Sequence, residues 1–130
     1  MSVVAPPPYD GRHVLLDLDG CSGLDDAARI ETALRDATAA AGATLVDLRL
    51  HHFGPGHGVT GIALLAESHI SIHSWPEHGH AAVDIFVCGH RCDAEAAARV
   101  IAAALDATHL RQRIVVRGYG LATAPLDTSG

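Results

Sequence analysis

Gly61-Ile62-Ala63-Leu64-Leu65-Ala66-Glu67-Ser68-His69-Ile70-Ser71-Ile72-His73-Ser74-Trp75, followed by Ala81-Ala82-Val83-Asp84-Ile85-Phe86-Val87-Cys88, reads as three strands in succession. Their spans are Gly61 to Ala66, His69 to Ser74 and Ala81 to Cys88. In a strand, residues two apart share a face, so His69, Ser71, His73 and Trp75 point one way. Ile70 and Ile72 point the other way, into a core. Outward from this block, Thr44 to Leu50, Val14 to Leu18 and Arg113 to Arg117 also read as strands. Two helices flank the group. The first takes Ser22 as its cap, with Asp25 and Asp26 at its positive end and Gly42 closing it. Its apolar stripe is Ile30, Leu34, Ala37 and Ala41. The second follows Asp93 as N-cap and carries Ala97, Val100, Ile101, Ala104 and Leu105 on one face. Strands grouped between two helices predict an α+β two-layer sandwich, an antiparallel sheet with both helices on one face. The bare face then needs a cover, and a homodimer stacking sheet on sheet is the simplest one.

The chain of 130 residues is expected to form a single domain, 1–130, with no internal linker or repeat. An apolar share of 48% suits a compact fold, and no run approaches a membrane span. Residues 1–10 include three consecutive prolines and read as a flexible N-terminal arm without the features of an export signal. Three cysteines in such a chain predict reduced thiols and a cytoplasmic location. A net charge of −6 without a basic cluster argues against nucleic acid. The chain has no lysine, so a lysine-anchored aldehyde cofactor is excluded.

Eight of the ten histidines fall between His51 and His90, which marks where the polar chemistry sits. The segment His51 to Thr60 reads as a loop from its Gly and Pro content. A solvated strand face is one reading of His69 and His73. A metal site is another, with His51, His52, His57, His78 and His80 as further ligands. No Cys-x-x-Cys or His-Glu-x-x-His spacing supports it, and no metal is expected.

The run Glu67 to Glu77, with Ala81 to Gly89 after it, resembles the bacterial and archaeal S-adenosylmethionine decarboxylase proenzyme family. The likeness extends through Gly58-Val59-Thr60-Gly61 and more loosely to Gly11-Arg12-His13, covering about residues 11 to 118. It implies a chain that cuts itself between Glu67 and Ser68, giving 1–67 (the β chain) and 68–130 (the α chain). Ser68 would become a pyruvoyl group that forms a Schiff base with the substrate amine. The family pattern makes His73 the proton acceptor in processing, Thr60 a support for the attacked carbonyl, and Cys88 the proton donor in turnover. It assigns substrate binding to Phe53, Trp75 and Glu77, and gives Asp17 at most a supporting role. Cys21 and Cys92 read as structural. The implied reaction converts S-adenosylmethionine to its decarboxylated form for spermidine synthesis. Relatives that act on arginine or ornithine give a second reading, and an unprocessed, His-rich metal-binding homologue a third. In a regular strand Ser68 lies on the side of Ile70, away from His73, so a kink or bulge at Glu67-Ser68 is expected.

Overall fold

The computed structural model describes residues 11–119 and 121–126; the N-terminal arm lies outside them. Six strands form one sheet: β1 (Gly11–Asp19), β2 (Leu45–His52), β3 (Val59–Leu65), β4 (Ser68–Trp75), β5 (His80–Cys88) and β6 (His109–Arg117). Helix α1 (Ala27–Ala41) follows β1, and α2 (Ala94–Ala104) lies between β5 and β6. The strand order is β2-β3-β4-β5-β1-β6, and every neighbouring pair is antiparallel. The expected α+β architecture is therefore present.

Both helices cover the same face of the sheet, α1 over β2 and β3 and α2 over β1 and β5. The period of two delivers Val14, Leu16 and Leu18, Ile70 and Ile72, and Val83, Ile85 and Val87 to that face. They meet Ile30, Leu34, Ile101 and Leu105, all fully buried. Alanines at Ala33, Ala37, Ala94, Ala97 and Ala98 let the helices approach each other and the sheet.

Two local expectations are corrected. Asp26, not Ser22, caps α1, accepting the Arg29 N–H at 3.1 Å. A carboxylate at that site serves an exposed helix start well. The Ser22 hydroxyl donates instead to Asp106 at 2.8 Å and, with Arg29, holds that carboxyl below its usual range. The loop is also shorter than His51 to Thr60. His51 pairs with Thr60 and His52 with Val59, so the β2–β3 hairpin runs on and leaves only Phe53 to Gly58 as loop.

Ser74, 2% exposed, is with Thr38 one of two buried polar residues among those described. Its hydroxyl accepts the Val59 N–H at 2.9 Å and donates to the Leu24 carbonyl at 2.8 Å. Ser74→Ala leaves both backbone groups unpaired in a buried place. It is expected to lower stability by about 2 kcal/mol, read as an earlier denaturant midpoint at unchanged slope. No helix among the described residues is long and apolar enough to cross a membrane.

Candidate functional site

The predicted residues divide between the two ends of β4. At its start, Leu65 pairs with Ser68, so Ala66-Glu67 forms a two-residue hairpin loop. Glu67 has φ +64°, the left-handed region that such turns usually give to glycine. For a residue with a side chain this conformation costs about 1–2 kcal/mol. The irregular backbone is confined to this turn: Ser68 opens a regular strand and keeps the parity of Ile70, and the strain falls on the residue immediately before it. The Glu67 carboxylate meets Arg91 Nη2 at 2.8 Å.

Cys88 ends β5 at this same end of the sheet and is 4% exposed. A tight turn follows it, in which the Cys92 N–H donates to the Cys88 carbonyl at 3.0 Å. Glu67, Cys88, Arg91 and Cys92 line a cavity of about 140 Å³ backed by Gly42 to Thr44. Burial pushes the Cys92 thiol up, and the neighbouring Cys88 adds to that effect. Cys92 stands in the wall of this cavity.

At the other end of β4 lies a second constellation. Thr60 and His73 are paired across β3 and β4, and Thr60 Oγ1 lies 3.0 Å from His73 Nδ1. The His73 ring packs on Trp75 at 4.4 Å between centroids. Phe53, His57, Gly58, His73, Trp75 and Glu77 line a cavity of about 260 Å³. Gly58 is required there, since a Cβ would stand 2.0 Å from the Ser74 carbonyl oxygen. The three predicted substrate-binding residues therefore share one cavity with the predicted base.

Sequence reasoning offered His80 only as a possible metal ligand and did not place Arg91. His80 Nδ1 is 2.8 Å from Asp19 and Nε2 is 3.6 Å from Asp17, while its ring lies 5.4 Å from Trp75. Asp19, Trp75, His78 and His80 border a further cavity of about 490 Å³. Asp17 also accepts Arg111 at 3.2 Å. The register Trp75–His80 across the β4–β5 hairpin is the signal that links His80 to the site. Arg91 left no comparable signal. Among the described residues, no three His, Cys, Asp or Glu side chains gather as a metal-binding group.

The two ends do not meet within one chain. β4 is regular from Ser68 onward, and five residue steps at about 3.3 Å separate Ser68 from His73 by about 16 Å. The turn at Glu67 does not alter this. Between the ends, the uncovered face of the sheet carries His13, His69, Ser71, Asp84 and Phe86. His13 Nε2 lies 3.3 Å from Asp84, and His69 stacks on Phe86 at 5.8 Å.

Residues 12–118 match the family model described as S-adenosylmethionine decarboxylase. An S-adenosylmethionine decarboxylase proenzyme from Thermomicrobium roseum is 53% identical over 91 residues, 70% of this chain and 78% of that protein. One from Synechococcus sp. is 47% identical over 119 residues, 90% and 92% of the two chains. The crystal structure of the adenosylmethionine decarboxylase from Aquifex aeolicus aligns with a TM-score of 0.77 at 35% identity. That alignment covers 91% of this chain and 98% of that one. With its sheet, hairpin and both residue clusters inside the matched span, the chain belongs to the S-adenosylmethionine decarboxylase family.

Proposed function

We propose that this protein is a self-processing, pyruvoyl-dependent decarboxylase of S-adenosylmethionine, supplying the aminopropyl donor for spermidine synthesis in the cytoplasm. The observation that carries the reading is the left-handed Glu67 immediately before Ser68, in a cavity shared with Cys88. In processing, Ser68 Oγ bonds to the Glu67 carbonyl carbon, the C–N bond breaks, and the hydroxyl proton passes to the freed amine. Loss of the Ser68 Cα proton to His73 then breaks the Cβ–Oγ bond and releases Glu67 as a carboxylate. Water replaces the remaining nitrogen, which departs as ammonia.

The separation along β4 supports a homodimer as the active unit. Two sheets stacked by their uncovered faces, about a two-fold axis crossing the strands, set one copy's Ser68 end over the other's His73 end. Thr60 fixes the imidazole ring at its Nδ1, so Nε2 is the nitrogen turned to the proton. The pyruvoyl group supplies the electron sink for the bond that loses carbon dioxide. The residues do the rest. Cys88 delivers the proton, Phe53 takes the adenine, Glu77 the ribose hydroxyls, and the Trp75 face with the Glu77 charge suits a sulfonium cation.

Intact-mass measurement of the purified protein should show two chains divided at Glu67/Ser68, the second blocked at its start. Carbon dioxide should come from S-adenosylmethionine and not from arginine or ornithine. A chain that stays whole on long incubation would overturn the processing. Release from arginine or ornithine alone would overturn the substrate.

A further inference from the structure

We infer that Arg91 is a positioning residue for self-cleavage, holding Glu67 in the left-handed turn that presents the scissile carbonyl to Ser68. The inference rests on the processing proposed above. A residue with a side chain keeps a left-handed conformation only where its surroundings over-determine it. Two contacts do so here. The Ala66 N–H donates to the Thr44 carbonyl at 2.9 Å, tying down the first residue of the loop. Arg91 Nη2 grips the carboxylate of the second at 2.8 Å.

Arg91 is itself anchored to the other functional group of this end. It lies in the turn after Cys88, its N–H reaching the Cys88 carbonyl at 3.4 Å. Cys88 and Glu67 together push the guanidinium's pKa above its ordinary value. One side chain thus joins the residue before the cut to the residue that later gives up a proton. Once the bond is broken, Glu67 is a chain end carrying a second carboxylate, and the same cation stands beside it. The fork of the guanidinium suits this double duty better than a point charge.

The test follows cleavage of freshly made protein by intact mass, at low and high salt. Because both partners are largely exposed, salt should slow cleavage of the unaltered chain. Arg91→Met should slow it about three- to fivefold, the scale of one exposed charge pair, and remove the salt dependence. Arg91→Lys should recover part of the rate. Guanidinium ion, at concentrations far below those that unfold proteins, should accelerate Arg91→Ala. Thermal unfolding of each variant checks that the fold persists. An Arg91→Met chain that cleaves at the unaltered rate, or keeps the salt dependence, overturns the positioning role. An unaltered chain that never cleaves overturns the processing itself, and this inference with it.

Discussion

Mixing a Ser68→Ala chain with a His73→Ala chain restores a cleavage that neither shows alone. The expectation comes from the length of β4, which puts the two residues about 16 Å apart on one chain. Removing the nucleophile stops processing outright. Removing a positioned base slows proton transfer by about 10²–10⁴-fold, so the His73→Ala chain alone stays whole over the assay. In a mixed dimer, one of the two sites receives Ser68 from the His73→Ala chain and His73 from the Ser68→Ala chain. That site is intact. Under random pairing about half of the Ser68-bearing chains sit in such dimers and are cut, while the Ser68→Ala chains are never cut. Intact mass separates the two. If mixed dimers form and the Ser68-bearing chain remains whole, the shared site is wrong.

The sheet and helices were legible because β3, β4 and β5 alternate and each helix keeps one apolar stripe. Ile70, Ile72, Val83, Ile85 and Val87 could only serve a one-sided core, and all are buried. The turn at Glu67 was legible for a different reason. Ser68 and His73 differ in parity, and that conflict pointed to irregular backbone. The proposed sharing of the site between copies was hidden, because parity says which side a residue faces and nothing about a second copy. Residue spacing along a chain is silent on contacts between chains. The cap of α1 failed on competition between near-equivalent residues, Ser22 and Asp26, four apart in one turn-rich segment. Arg91 was hidden for want of any period, lying in a turn where a contact depends on backbone path alone.

Cys88→Ala is the variant that separates making the cofactor from using it. Cys88 lines the same cavity as Glu67, yet the proposed processing needs only the Ser68 hydroxyl, the Glu67 carbonyl and a base. The altered chain should therefore cut itself at nearly the unaltered rate. Turnover is another matter. After carbon dioxide leaves, the substrate carbon must take a proton, and a side chain 4% exposed excludes bulk water from that task. With the thiol gone, kcat should fall about 10²–10³-fold, within the usual range for a lost general acid. KM should change little, because in the proposed reading the thiol acts on the transition state and Phe53, Trp75 and Glu77, which line the other cavity, hold the ground state. The small void left by sulfur costs some stability, so the assay is run well below the unfolding temperature. Slow cleavage together with slow turnover would make Cys88 a packing residue of the cavity. Normal cleavage with full turnover would pass the proton-donor role to another group.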